Sequence, residues 1–81
     1  MSAYCYIQLS DVPPELMKSI RRRVDDVSGE NLVAFDDSPL VGLLGEGEEE
    51  IEIEYPFPRD TIRNDLVSWL MRWGICFRVV M

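Results

Sequence analysis

Residues 45–55 read GEGEEEIEIEY, and the fold predicted for the rest of the chain follows from this stretch. From Glu50 to Tyr55, acidic side chains alternate with large apolar ones. Because successive side chains leave a strand on opposite faces, this alternation predicts a strand with one buried face and one open face. We expect the open face to carry a row of carboxylates, those of Glu46, Glu48, Glu49, Glu50, Glu52 and Glu54.

Three other segments are also predicted to be strands. Residues 3–9 alternate in the same way and place Tyr4 and Tyr6 on the open face. Residues 31–35 and 75–81 are short and rich in apolar residues. Four strands are therefore expected in all.

Two helices are predicted between these strands. The first covers residues 13–27, beginning at two prolines that suit a first helical turn and ending before Gly29. The second covers residues 59–73 and ends before Gly74. The apolar residues expected to face the core are Leu16, Ile20, Val24 and Val27 in the first helix, and Ile62, Leu66, Trp69, Leu70 and Trp73 in the second.

Residues 36–47 form a long connection whose centre, residues 40–44, is unusually apolar. Most connections run through water, so an apolar one needs a reason. Either Ser38 begins a single helical turn, or residues 40–44 add a short strand that packs on the core. The remaining interpretation is that Leu43 and Leu44 are exposed and contact a partner.

The order of elements is β-α-β-β-α-β, in one domain that covers residues 1–81. The apolar positions of the first strand and helix recur 46 residues later, as expected for two related split β-α-β units. This order resembles the ferredoxin-like sandwich. The resemblance implies an α+β fold with a four-stranded antiparallel sheet, two helices on one face, and central first and third strands that run parallel. It implies nothing about function.

The predicted faces also separate the charges. Seven of the eight basic residues, all but Arg78, are expected in the two helices, which leaves the open sheet face acidic. Cys5 and Cys76 are expected on opposite faces of neighbouring strands, which argues against a disulfide between them.

Composition excludes several classes of function. Fifteen acidic residues against eight basic ones give a net charge of -7, which disfavours direct binding of nucleic acid. The chain has no histidine, the commonest general base and metal ligand near neutral pH, and the exposed carboxylates lack a site that would desolvate them. We therefore expect no enzyme activity, metal or cofactor. No apolar run approaches the ~20 residues of a membrane span, so a cytoplasmic protein is expected.

The first functional hypothesis is a protein-binding module that acts as an inhibitor. Carboxylates at two-residue steps along a strand imitate the phosphate row of an extended nucleic acid, and Tyr4 and Tyr6 add amphipathic anchors beside them. Such a face would occupy the basic surface of a nuclease or of a nucleic-acid-binding complex. In size and charge the chain resembles small phage proteins that block nucleases or CRISPR-type defence complexes, and the immunity proteins of nuclease toxins.

The alternative hypothesis is a self-associating structural or regulatory domain. A homodimer would pair through Tyr4, Tyr6, Val80 and residues 40–44, with Glu52 or Glu54 meeting Arg78. Weak calcium binding by residues 46–50 lacks a regular ligand loop, and a small-molecule enzyme would need a pocket that the sequence does not reveal.

Overall fold

The computed structural model describes residues 2–56 and 60–81, which form an α+β fold with an open antiparallel sheet. The strands and helices of these residues are β1 (Ser2–Gln8), α1 (Pro14–Met17), β2 (Arg21–Val24), β3 (Asn31–Ala34), β4 (Gly42–Leu44), β5 (Glu50–Pro56), α2 (Asp60–Trp73) and β6 (Phe77–Val80). The strand order is β2-β3-β4-β5-β1-β6. The predicted class and the antiparallel sheet are confirmed. The described residues form six strands, however, where the sequence predicts four.

The longest pairing in the sheet is the antiparallel pair of β1 and β5. Tyr4 lies opposite Glu54 and Tyr6 lies opposite Glu52 in this pair. The other face of both strands is buried, and none of its six side chains is more than 3% exposed: Ala3, Cys5, Ile7, Ile51, Ile53 and Tyr55. The alternation predicted from both segments is confirmed.

The acidic strand and the second helix fold as their patterns predict, whereas the last predicted strand, residues 75–81, is shortened to β6 and its four residues are exposed. Leu66, Trp69 and Leu70 of α2 are buried against the sheet. The helix ends where the Gly74 amide donates to the Met71 carbonyl and the Ile75 amide donates to the Leu70 carbonyl, with Gly74 at a φ of 67°. These two bonds define a Schellman cap. Arg59, the first residue of the predicted helix, lies outside the described residues.

Strands β5 and β6 flank β1 and both run antiparallel to it, so they are parallel to each other. Helix α2 connects them, and β5, α2 and β6 therefore form a split β-α-β unit around β1. The first predicted unit does not form. Its helix stops after four residues, and β4 separates the second predicted strand, β3, from the acidic strand β5. The expectation that β1 and the acidic strand run parallel is also wrong, because the two are direct antiparallel neighbours.

The helix predicted over residues 13–27 is wrong beyond its first turn. Helix α1 has four residues, and the Ser19 hydroxyl donates to the Leu16 carbonyl at its end, 2.7 Å away. The same hydroxyl accepts the Asp36 amide at 3.1 Å. A serine side chain that competes for backbone groups in this way favours the end of a helix. Leu16 is buried and Ile20 packs against the core, but Val24 and Val27 are 58% and 95% exposed, so the second half of the predicted apolar stripe faces water.

A tight turn replaces the rest of that helix and joins β2 to β3. Asp25 and Glu30 are linked by a backbone hydrogen bond of 2.8 Å, and the Asp25 carboxylate accepts both the amide and the hydroxyl of Ser28. Gly29 has a φ of 74°, which glycine adopts without strain. Aspartate, serine and glycine are typical turn residues, and here their hydrogen bonds hold a hairpin.

Residues 42–44 form the extra short strand that was one of the alternatives for the apolar connection. Leu44 is buried opposite Ile51, and Leu43 lies opposite Glu52. Gly42 is needed for this approach, because a Cβ there would collide with the buried Ile51 side chain. The apolar connection is therefore mostly a structural part of the sheet.

Candidate protein-binding face

One face of the sheet carries no helix, and its centre is the carboxylate row of β5. Glu50, Glu52 and Glu54 lie on this open face, because Ile51, Ile53 and Tyr55 between them are buried on the other. Their partners across the β1 pairing are Gln8, Tyr6 and Tyr4, in that order. The predicted grouping of three glutamates with two tyrosines on one face is therefore what the register produces.

Hydrogen bonds across the strands orient these carboxylates. The Tyr6 hydroxyl donates to Oε2 of Glu52 at 2.8 Å, and Nε2 of Gln8 donates to Oε2 of Glu50 at 2.9 Å. Both bonds join directly opposite residues, the pairs that stabilise antiparallel sheets. The carboxylates are consequently presented at defined positions on the face.

Arg78 of β6 is the basic residue beside this row. Its Nη2 lies 3.5 Å from Oε2 of Glu50, and its guanidinium carbon lies 4.8 Å from the centre of the Tyr6 ring. The Arg78 side chain is 66% exposed, so the ion pair contributes little to stability. It does neutralise one end of the carboxylate row.

The negative charge of the row acts on both tyrosines. The charge of Glu54 raises the pKa of Tyr4, and a hydrogen bond with the same carboxylate raises it further. The hydrogen bond to Glu52 raises the pKa of Tyr6, and the Arg78 charge opposes this increase. Both phenols therefore stay protonated and able to donate over a wider pH range than free tyrosine.

The other three predicted glutamates do not continue the row. Glu46, Glu48 and Glu49 lie in the turn between β4 and β5, where Glu48 has a φ of 55°. Oε1 of Glu48 lies 3.3 Å from Nη1 of Arg22, so this carboxylate is already paired. Alternation fails here because the backbone turns before Glu50 begins the strand.

Sequence reasoning missed the basic end of the same face. Arg21, Arg22 and Arg23 were expected in a helix, but they form the edge strand β2. The cross-strand register places Arg23 on the open face with Leu32, and Arg21 on that face with Ala34. The three arginines border a depression of about 270 Å³ whose other lining residues are Leu32, Val33, Ala34 and Val41.

The signal for this hairpin was present in the turn. Asp25, Ser28 and Gly29 are typical turn residues, and they follow soon after the arginines. The sheet face is consequently not uniformly acidic. It is basic at the β2 edge, apolar over β3 and β4, and acidic at β5.

The described residues give little support for a disulfide, a metal site or a membrane-spanning helix. Cys5 and Cys76 are both free; Cys5 is buried, which raises the pKa of its thiol to about 11, and Cys76 is exposed. Over residues 2–56 and 60–81, no three His, Cys, Asp or Glu side chains are grouped as metal ligands would be. Neither described helix has the length and apolar character needed to cross a membrane.

No protein-family model matches this chain, and no curated protein or solved structure matches it significantly.

Proposed function

We propose that the protein is a small cytoplasmic protein-binding module that inhibits a basic, nucleic-acid-handling partner through its open sheet face. The partner class is a nuclease or a nucleic-acid-binding complex, as for phage proteins that act against CRISPR-type defences. The observation that carries this proposal is the carboxylate row of β5. It is a column of three glutamates along the strand, Glu50, Glu52 and Glu54, which project from one face of a central strand beside two tyrosines.

The geometry favours a protein surface over a small ligand. Carboxylates two residues apart are separated by roughly 6.6–6.8 Å along the strand, a repeat that suits a row of basic side chains. Tyr6 fixes Glu52 by its hydrogen bond, which lowers the entropy that a partner must remove to order that side chain. The tyrosine rings themselves suit the centre of an interface.

Ion pairs within the chain leave only some of these carboxylates free to contact a partner. Glu48 and Glu50 already contact Arg22 and Arg78, so Glu52 and Glu54 are the carboxylates that we propose as the main contacts. Direct binding of nucleic acid is not part of the proposal, because the net charge of -7 repels phosphates. Nor is catalysis, since the chain has no histidine and the row stands on an open face. Two free cysteines suit the reducing cytoplasm.

The test compares two triple variants against purified nucleases and CRISPR-type complexes. Glu50→Gln, Glu52→Gln and Glu54→Gln together remove the column while keeping its shape. Glu15→Gln, Glu30→Gln and Asp65→Asn remove the same amount of charge at other exposed positions. We expect wild type and the control to bind and inhibit, with affinity that falls as salt is raised, and the column variant to bind about tenfold or more weakly.

Binding that is indifferent to salt would contradict this proposal. So would equal binding by both triple variants, because total acidity and not the column would then explain it. Capture from a lysate on the wild-type protein, with elution by a salt gradient, provides the partner if the purified panel does not.

A further inference from the structure

The open face carries opposite charges on two strands that the sheet holds at a fixed separation. β2 lies at one edge with Arg21 and Arg23, and β5 lies three strands away with Glu52 and Glu54. At about 4.8 Å between neighbouring strands, the two columns are about 14 Å apart. Two apolar strands, β3 and β4, separate them.

The strand registers align these residues into one row across the face. Arg23 lies opposite Leu32, Leu32 opposite Leu43, and Leu43 opposite Glu52. Directly opposite residues in an antiparallel ladder point to the same face, so the row reads basic, apolar, apolar, acidic. Two residues along, the same registers give a second row that contains Arg21, Ala34, Val41 and Glu54, of which Arg21 and Ala34 are paired directly.

A row with this order is complementary to itself after a two-fold rotation. An axis along the strands, midway between β3 and β4, exchanges β2 with β5 and β3 with β4. Arg23 then lies over Glu52 of a second copy, and Leu32 lies over Leu43 of that copy. Each contact occurs twice, as a two-fold interface requires. We infer that this face binds a second copy of the chain, with β2 of each copy over β5 of the other.

The exposure of the residues fits such an interface. Arg21 and Arg23 are exposed, Leu32 and Leu43 are half-buried, and Val41 is 55% exposed. Among the described residues, neither Arg21 nor Arg23 forms a salt bridge. The pKa of Asp25 is lowered mainly by its hydrogen bonds from Ser28, and the Arg23 charge adds only a smaller effect. Sheets pack about 10 Å apart, a gap that arginine and glutamate side chains from both copies can span.

The contacts differ from those predicted from the sequence. Pairing was expected through Tyr4, Tyr6 and Val80, with Arg78 as the basic partner. Those residues lie on β1 and β6, outside the four strands that the rotation exchanges. Four strands, three of them short, cover less than the roughly 800 Å² per partner of a standard interface, so a weak, concentration-dependent dimer is expected.

The dimer adds the β2 arginines as contacts and does not depend on the proposed function. The two share Glu52 and Glu54, so a second copy and a basic partner would compete for the same carboxylates. Arg21→Glu with Arg23→Glu removes the dimer contacts and keeps the column. That variant should therefore still bind a basic partner if the proposed function is correct, whichever way the dimer experiment ends.

The experiment is a charge exchange, followed by sedimentation equilibrium at about 0.15 M salt, where repulsion between the acidic copies is screened beyond roughly 8 Å. One variant carries Arg21→Glu and Arg23→Glu, and the other carries Glu52→Arg and Glu54→Arg. Each alone places like charges over one another, so we expect its self-association to be about tenfold or more weaker than that of wild type. An equimolar mixture restores both sets of opposite charges and should associate at least as well as wild type.

A matched mixture controls for simple attraction between differently charged proteins. Arg21→Glu with Arg23→Glu is mixed with a variant that carries Glu15→Arg and Asp65→Arg, which has the same net charge as the second exchange variant. The Glu15→Arg, Asp65→Arg variant keeps the whole dimer face and should self-associate as wild type does. The Arg21→Glu, Arg23→Glu protein should join it less than it joins the exchange partner, because one of the two contact sets still pairs like charges. Circular dichroism confirms folding, and if loss of the Tyr6 bond unfolds the Glu52 variant, Arg21→Glu and Glu54→Arg alone are mixed in the same way. A monomeric wild type and a monomeric exchange mixture would overturn the inference. So would equal incorporation of fluorescently labelled Arg21→Glu, Arg23→Glu protein into complexes in the exchange and control mixtures.

Discussion

The two halves of the sheet differ in how their strands are held. In one half, β1 and β5 are joined by a register of seven residue pairs and share a core with the buried residues of α2, and β6 adds a four-residue edge strand whose residues are exposed. β2, β3 and β4 have four, four and three residues, and every residue of β2 is exposed. In the half of the sheet around β1 and β5, strong periodicity therefore accompanies burial. The half formed by β2, β3 and β4 is held by the hydrogen-bonded turn from Asp25 to Glu30 and by the close approach of Gly42 to Ile51.

The largest expected effect tests this contrast at two positions that the sequence repeat makes equivalent. Val24 and Leu70 are related by the shift of 46 residues, but Leu70 is 0% exposed and Val24 is 58% exposed. Leu70→Ala removes buried methyl groups and leaves a cavity, so we expect a loss of about 2–5 kcal/mol in the free energy of unfolding. Val24→Ala should change it by less than about 0.5 kcal/mol. Denaturant unfolding measures both, and similar losses would mean that residues 13–27 form the helix after all.

A smaller effect is expected where β4 packs beside β5, at the border between the two halves of the sheet. A Cβ at Gly42 would collide with Ile51 and come within 3.3 Å of Ile53, both buried side chains of β5. Gly42→Ala should therefore cost about 1–3 kcal/mol through overpacking. Gly47→Ala is the matched control, because a Cβ at this exposed residue would have no atom within 4 Å. Equal unfolding midpoints for the two variants would contradict the close approach of β4 to β5.

The sequence predicted the parts of the fold in which one pattern extends over many residues. β1, β5 and α2 have at least seven residues each, and their buried faces repeat every two or every three to four positions. In residues 16–27 four apolar residues also fit a helix, but Asp25, Ser28 and Gly29 favour a turn, and the turn with its cross-strand pairing prevails. A short amphipathic pattern is outweighed by tertiary hydrogen bonding of this kind.

The residues of the candidate site also divide into those that the local pattern predicts and those that it does not. Glu50, Glu52 and Glu54 were predictable because they belong to the long strand, and the position of Tyr6 beside Glu52 followed from the two alternations. Arg23 was not predictable on this face, since its place depends on three successive strand pairings. Long-range register is invisible to local periodicity, and it decided which charges share the surface.

The smallest expected effect tests whether the carboxylate row raises the pKa of the tyrosines beside it. The hydrogen bond to Glu52 raises the pKa of Tyr6, so Glu52→Gln should lower that pKa toward its ordinary value of about 10. Glu48→Gln, in the turn and paired with Arg22, should leave it unchanged. Ultraviolet titration in a Tyr4→Phe, Tyr55→Phe background reports Tyr6 alone, because the chain has three tyrosines.

The sign of the accompanying stability change follows from the same bond. A pKa raised by folding means that the folded state holds its proton more tightly than the unfolded state. The contribution of Tyr6 is therefore fully present below the ordinary tyrosine pKa and is lost as the pH rises through the raised, folded value. Glu52→Gln should flatten this alkaline decline, and Glu48→Gln should not. An unchanged decline in the Glu52 variant would show that Tyr6 and Glu52 are not coupled, and the central carboxylate of the column would lose the contact that orients it.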